Sequence, residues 1–240
     1  MSVQSPHFHY SKDFEVLSFQ VNPEKKLRWA ALGDILQELA WKHADSRDFG
    51  QQLHELGRIW VLSRFSIEVK RMPVWGDVLK VHTAARGVDK LFALREFLVE
   101  DQNGEILATA MSAWILLDVA TRRPLRPQQV LPVELFPTVV DINLLPPKIQ
   151  VPANMEKGPL LEVGYADLDI NHHVNNVAYI RWIEGFCFSK HWNFAILHIN
   201  YLSETHLGEQ VQLSYFQEEG RVFLEGLVEN RQVFTALVVF

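Results

Sequence analysis

Cysteine is nearly absent from this sequence, since Cys187 is the single one among 240 residues. No intrachain disulfide can form, and a chain of this kind is expected in a reducing compartment. Long apolar runs are also missing, because no stretch reaches the roughly 18 uncharged apolar residues that a membrane helix needs. Residues 1–10 are polar and lack the apolar core of a signal peptide. These absences predict a cytoplasmic location and no membrane span.

Positive charge is in deficit. The 23 Lys and Arg residues are outnumbered by 29 Asp and Glu residues, which gives a net charge of −6. A nucleic-acid-binding surface needs the opposite balance, so nucleic acid is not an expected partner. Two local basic clusters are compatible either with an acidic partner or with an ordinary solvated surface. The first consists of Arg122, Arg123 and Arg126, and the second of Lys25, Lys26 and Arg28.

Proline is scarce outside one segment. Eight of the eleven prolines lie between Pro124 and Pro159. Because proline interrupts helices and central strands, this segment is predicted to be an extended linker. The predicted organisation is a first domain over residues 1–120, a linker over 121–159 and a second domain over 160–240.

The two predicted domains repeat the same order of elements. In the first, a helical pattern over residues 26–43 precedes strand-like runs at 59–69, 78–85, 92–100 and 106–117. In the second, a helical pattern over 174–190 precedes runs at 195–203, 210–216, 221–229 and 233–240. One long helix followed by antiparallel strands indicates a sheet wrapped around a helix, the hotdog fold. The predicted fold class is α+β, a tandem (double) hotdog in which each unit is an antiparallel sheet around a long central helix.

Polar side chains are concentrated just before the second predicted helix. Two acids, three asparagines and two histidines lie between Asp167 and Asn176. Such residues are favoured helix caps, but one cap needs only one side chain. Amides at a helix start point outward and carry partial positive charge, so they stabilise a carbonyl oxygen as it becomes negative. The segment is therefore a candidate catalytic site.

This segment carries a family resemblance. The pattern Asp169-x-Asn171-x-His173-Val174-Asn175-Asn176-x-x-Tyr179 resembles the signature of plant and bacterial acyl-ACP thioesterases. The resemblance extends over most of the chain and includes Trp60-Val-Leu-Ser-Arg64, Trp75-Gly-Asp-Val78 and Thr121-Arg122-Arg123. It is the joint occurrence of these stretches, in order, that is specific.

The resemblance implies a catalytic set of Asp169, Asn171, His173 and Glu204, the last of these on a later strand. The family often has cysteine beside that acid, whereas this sequence has Thr205. A cysteine nucleophile at that position is excluded, and Cys187 is predicted to be a small buried residue. Asp167 and His172 lie outside the matched positions and are predicted to be a loop acid and a bystander.

The first half was compared with these positions as an internal control. The two predicted helices were aligned with each other, and the strands were aligned through Trp75-Gly76-Asp77 and Leu207-Gly208-Glu209. Each of the four site residues is then paired with a residue of a different type. The alignment places Pro23, Lys25 and Leu27 opposite Asp169, Asn171 and His173, and Met72 opposite Glu204. One active site per chain is therefore expected, with the first half supplying much of the acyl-binding cavity by resemblance to the family.

The expected reaction is hydrolysis of a fatty acyl thioester on acyl carrier protein to free fatty acid and carrier thiol, in fatty acid biosynthesis. In this hypothesis Asn171 and helix-start amides stabilise the oxyanion, and Asp169 holds the geometry of Asn171 and His173. Glu204 acts as general base or as nucleophile, and His173 positions or deprotonates water. A thioester is already activated, so no cofactor is expected. A metal is not expected either, because adjacent histidines point apart and no His-x-x-x-His spacing accompanies them.

Several alternatives stay open at this stage. An acyl-CoA thioesterase fits the same residues, and so does a non-catalytic acyl-binding module on a hotdog scaffold. A hotdog hydratase is disfavoured because its His and acid arrangement is missing. The sequence has no glycine-rich phosphate loop and no Gly-x-Ser-x-Gly elbow, which argues against nucleotide chemistry and a serine hydrolase. Acyl chain length is not predicted, and both a monomer and a homodimer are compatible with the pattern.

Overall fold

The computed structural model describes residues 8–46, 51–131 and 145–240. Within these ranges the helices are α1 (Trp29–Asp45), α2 (Gln51–Glu55), α3 (Pro127–Val130) and α4 (Asn176–Ser189). The first-half strands are β1 (Tyr10–Glu15), β2 (Arg58–Val69), β3 (Val78–Asp89), β4 (Phe92–Glu100), β5 (Ile106–Asp118) and β6 (Pro124–Leu125). The later strands are β7 (Glu156–Glu162), β8 (Ile196–Tyr201), β9 (Gln210–Glu218), β10 (Arg221–Val228) and β11 (Arg231–Val239).

The strands form one antiparallel sheet in the order β1-β3-β4-β5-β2-β8-β11-β10-β9-β7, with β6 paired to β5. The two halves of the chain join at β2 and β8, whose register runs from Arg64 opposite Asn200 to Glu68 opposite Ile196. Buried side chains of α1 and α4 pack with strand residues of both halves in one hydrophobic core. The predicted tandem hotdog, an antiparallel sheet around a long helix in each half, is confirmed. None of the helices in the described ranges has the length and apolar character to cross a membrane.

The two long helices pack against each other as well as against the sheet. Gly33 of α1 lies at their contact, where an added Cβ would be 3.1 Å from Ile180 and 3.4 Å from Val177 of α4. This close approach leaves both helices buried on more than one side, as their apolar sequences predict. It also brings the middle of each helix close to the start of the other.

The predicted elements correspond to observed ones, and three strands were missed, namely β1, the two-residue β6 and β7. β1 escaped prediction because its exposed residues alternate with only two half-buried ones, Tyr10 and Phe14. β7 begins inside the segment predicted to be a linker, although it contains Pro159. A proline is compatible with this strand because β7 is the last in the sheet and its register shifts between Lys157 and Leu160. Residues 132–144 of the predicted linker lie outside the described residues, and the domain boundaries stay a prediction.

The loops before α1 and α4 have the same hydrogen-bonding pattern. Bridges Val21–Leu27 and Leu168–Val174 close the two loops. The amide of Asn22 donates to the Lys26 carbonyl at 2.8 Å, and the amide of Asp169 donates to the His173 carbonyl at 2.8 Å. The second-last loop residues, Lys25 and His172, have left-handed backbones with φ of 60° and 61°.

This correspondence corrects the predicted helix alignment by one residue. Asn22, Glu24 and Lys26, rather than Pro23, Lys25 and Leu27, lie opposite Asp169, Asn171 and His173. The strand alignment holds: Val74 and His206 amides donate to the side chains of Asp77 and Glu209 in matching turns, so Met72 corresponds to Glu204. Helical periodicity repeats every 3.6 residues and does not determine the register of the loop before the helix. The alignment predicted from the sequence was therefore wrong by one residue.

Candidate active site

A cleft of about 1630 Å³ lies between the two halves of the chain. All four predicted site residues line it, so the structure brings Asp169, Asn171 and His173 together with the distant Glu204. The first half contributes polar side chains, Arg122 among them, and many apolar ones. The apolar side chains from α1 are Ala40, Trp41 and Ala44, and those from β2, β4 and β5 include Trp60, Leu62, Leu94 and Trp114. The cleft thus combines a polar region around the four predicted site residues with apolar side chains from the first half.

Glu204 follows β8 and faces His173 across the polar region. The distance from Glu204 Oε2 to His173 Nε2 is 3.6 Å, which is an ion-pair distance longer than a hydrogen bond. Both side chains are solvent-accessible, at 36% for Glu204 and 29% for His173. Ser203 and Arg231 hold the adjoining backbone, since Ser203 donates to the Gln232 carbonyl and Arg231 to the Glu204 carbonyl. The carboxylate is therefore fixed at its base and accessible at its tip.

Arg122 binds the same carboxylate from the first half of the chain. Its Nη1 is 2.9 Å from each carboxylate oxygen of Glu204. Arg122 has a left-handed backbone, with φ of 56°, in the turn after β5. The sequence motif Thr121-Arg122-Arg123 marked this residue only as part of the resemblance, and its contact with Glu204 was not predicted.

Asp169 uses its carboxylate to shape the loop before α4. Its Oδ1 accepts the amides of Asn171 at 2.8 Å and His173 at 3.2 Å. Its Oδ2 accepts the Asn171 side-chain amide at 3.4 Å. This geometry supports the hypothesis that Asp169 positions Asn171 and His173.

Replacing Asp169 with asparagine is expected to preserve the loop, because Asn22 holds the first-half loop through the same contact, 2.9 Å to the Lys26 amide. The new side-chain amide would face the Nδ2 donor of Asn171, so kcat should fall about tenfold while thermal stability changes little. Asp169→Ala removes both acceptors and should lower kcat about 100-fold. Equal kcat values for Asp169→Ala and the wild-type chain would contradict a positioning role.

The backbone amides around the start of α4 are mostly occupied. Asn175 caps the helix, and its Oδ1 accepts the Val177 amide at 3.0 Å. Of the eight amides from Asn171 to Ala178, the Asn176 amide is the one for which no acceptor is found within the described residues. Among the helix-start amides that were predicted to bind the oxyanion, the Asn176 amide is therefore the remaining candidate.

Two tyrosines and a threonine fix the segments that carry the site. The buried Thr205 hydroxyl accepts a hydrogen bond from Tyr179 at 2.8 Å. Tyr201 donates to the Asn176 carbonyl at 3.1 Å. Burial raises the pKa of Tyr179 to about 12 and that of Tyr201 well above its ordinary value, so both stay neutral donors. Thr205, where the family often has cysteine, thus joins the Glu204 segment to α4.

The structure also describes the residues that were predicted not to be catalytic, namely Asp167, His172 and Cys187. Asp167 accepts the Gly164 amide at 2.8 Å and pairs with Arg181, as expected of a loop acid. His172 is exposed. Burial raises the pKa of the Cys187 thiol to about 12, which disfavours the thiolate that a nucleophile needs.

Comparisons with known proteins identify the family and agree with this fold. Residues 7–131 match the family profile described as the acyl-ACP thioesterase N-terminal domain, and residues 153–232 match the C-terminal domain. The crystal structure of an acyl-ACP thioesterase from Bacteroides thetaiotaomicron is 28% identical with a TM-score of 0.86, over 96% of this chain and 97% of that one. The 12:0-ACP thioesterase from Umbellularia californica supports the fold, with 23% identity, a TM-score of 0.80 and 96% of each chain covered.

A curated plant relative gives the same family. Oleoyl-acyl carrier protein thioesterase 1 of Arabidopsis thaliana, a chloroplastic protein, is 30% identical over 198 residues, 72% of this chain and 53% of the relative. The chain thus spans about half the length of the curated relatives it matches. Because the two family profiles together match most of the sequence, this chain belongs to the acyl-ACP thioesterase family.

Proposed function

We propose that this chain hydrolyses the thioester of a fatty acyl group carried on acyl carrier protein, in fatty acid biosynthesis. The observation that carries the proposal is the pairing of Glu204 with His173 in a cleft that apolar side chains of the first half also line. Such a cleft suits an acyl chain with its reactive carbonyl at the polar region. Curated relatives carry names that specify oleoyl-, palmitoyl- and dodecanoyl-acyl carrier protein as their substrates.

The proposed chemistry needs no group beyond the side chains and water. Water adds to the thioester carbonyl carbon, the carbon–sulfur bond breaks, and the leaving thiolate takes a proton. Glu204 accepts the proton of the attacking water, or attacks the carbonyl itself to give an anhydride that water then opens. His173 orients the water, and Asn171 and the Asn176 amide donate to the oxyanion.

The basic cluster of Arg122, Arg123 and Arg126 is the proposed docking site for the anionic carrier. All three side chains are exposed, and Arg122 touches Glu204 at the cleft. The other cluster of the sequence, Lys25, Lys26 and Arg28, lies at the corresponding loop of the first half and does not line this cleft. Attraction between the arginines and an acidic carrier is screened by salt, so binding should weaken as ionic strength rises.

A product profile tests the proposal. The chain is incubated with acyl-ACPs of graded length and with the matching acyl-CoAs, and the released acids are measured. We expect kcat/KM on acyl-ACP to exceed that on acyl-CoA by at least about tenfold, and the difference to shrink at high salt. Release from acyl-CoA alone would favour the acyl-CoA thioesterase, and release from neither carrier would favour a non-catalytic acyl-binding module.

The cellular location and the oligomeric state of the chain are also proposals. We propose a cytoplasmic chain on the basis of the single buried Cys187. Both a monomer and a homodimer are compatible with two hotdog units joined through β2 and β8.

A further inference from the structure

The start of α1 is capped by a side chain from the other helix. Glu184 of α4 accepts the Trp29 amide at 2.8 Å through Oε1 and the Ala30 amide at 3.2 Å through Oε2. Its side chain is buried, with 6% of the residue exposed. Arg28, at the N-cap position of α1, makes no capping hydrogen bond. A carboxylate thus occupies the first two amides of the first-half helix.

Gln37 occupies the equivalent place at the start of α4. Gln37 and Glu184 each lie eight residues after the first residue of their own helix, Trp29 and Asn176. Gln37 Nε2 donates to Asn175 Oδ1 at 3.3 Å, and its Oε1 accepts Asn176 Nδ2 at 3.2 Å. It therefore contacts the side chains of the two residues at the helix start and not their amides.

The two contacts differ because of the chemistry of the two groups. A carboxylate offers only acceptors, so Glu184 binds two amides at a helix start, where the partial charge is positive. The carboxamide of Gln37 is neutral, and its one acceptor oxygen accepts from Asn176 Nδ2 rather than from a helix-start amide. Asn175 caps the Val177 amide, so the Asn176 amide corresponds to the Trp29 amide that binds Glu184.

We infer that Gln37 is a positioning residue for the thioesterase site. It holds the side chains of Asn175 and Asn176, and because it is neutral it leaves the Asn176 amide to the substrate oxygen. Glu184 shows within the same chain that carboxyl oxygens bind amides of this geometry. This inference rests on the proposed function, and it assigns a first-half residue to a site whose other parts lie largely in the second half.

The substitution Gln37→Glu tests it by copying the first-half arrangement into the active half. The new carboxylate should bind the Asn176 amide and exclude the substrate oxygen. We expect kcat on acyl-ACP to fall at least about 100-fold with KM nearly constant, the size of effect seen when one oxyanion donor is lost. The thermal midpoint should be maintained or raised, because a carboxylate at a helix start is stabilising. Gln37→Met, which lacks both polar contacts, should lose about tenfold in kcat.

Glu184→Gln is the matched control, since it makes the reverse exchange outside the cleft. Its kcat should stay within about threefold of wild type. A Gln37→Glu chain with wild-type kcat would overturn the inference. A crystal structure of that variant gives a readout independent of activity: the introduced carboxylate should lie within hydrogen-bond distance of the Asn176 nitrogen, and a carboxylate directed elsewhere would overturn the inference. If the wild-type chain releases no acid, the proposed function fails, and this structural readout still decides the placement of the side chain at position 37.

Discussion

Replacing Glu204 with glutamine is expected to lower kcat on acyl-ACP by about a thousandfold. Either role of this residue, general base or nucleophile, requires a carboxylate, and a carboxamide of the same shape supplies neither. The contact with Arg122 would weaken as well, because its 2.9 Å bonds go to both carboxylate oxygens. Measuring kcat at saturating substrate, with thermal unfolding to check the fold, isolates the chemical step.

Glu218→Gln is a suitable control for this substitution. Glu218 is another partly exposed glutamate that pairs with an arginine, Arg221, and it does not line the cleft. Its loss should leave kcat unchanged within about threefold. If Glu204→Gln keeps near wild-type kcat in a folded chain, Glu204 is neither the base nor the nucleophile.

Substitution of His173 by alanine should give the second large effect, a fall in kcat of about 100-fold or more with a small change in KM. The imidazole is 3.6 Å from the Glu204 carboxylate and packs edge-on against His206 with ring centroids 5.2 Å apart. The substitution should preserve the loop conformation, because the loop's hydrogen bonds are made by the backbone of residue 173. It removes only the imidazole that orients water. Pre-steady-state release of the acid from acyl-ACP measures the step directly.

The neighbouring His172 provides the control for this experiment. His172 is exposed, and its backbone has a φ of 61°, so asparagine, a non-glycine residue that tolerates this conformation, is a suitable replacement. His172→Asn should retain kcat within about threefold. Equal losses for the two substitutions would indicate damage to the loop and would contradict a separate chemical role for His173.

Much of the fold was predictable because periodicity reports burial directly. The helix before each set of strands and the alternating strands follow from apolar spacing alone. β7 was missed because a proline-rich sequence argues against a strand, and the exception for an edge strand depends on the order of the sheet. The one-residue error in aligning the loops has a similar cause: the bond from the Asn22 side chain to the Lys26 amide is a property of three-dimensional geometry.

The site was predictable to the extent that its residues are close in sequence. Asp169, Asn171 and His173 stand out as a local polar cluster, whereas Glu204 required the family resemblance. Arg122 was noted only for the basic cluster and the family resemblance, and Gln37 was not noted, because no local pattern indicates which distant side chain either residue contacts. Gln37 is one half-buried residue of an amphipathic helix, and only the packing of α1 on α4 at Gly33 shows what it touches.

The joining of two hotdog units through β2 and β8 in a single polypeptide also has an evolutionary consequence. In a homodimer of identical units, symmetry would force the same residue into both helix positions, so each helix start would face glutamate or each would face glutamine. A fused chain escapes this constraint, because the two positions are encoded separately and mutate independently. The start of the first-half helix is therefore free to bind Glu184 of the second half, while the helix start at the site of chemistry faces the neutral Gln37 of the first half.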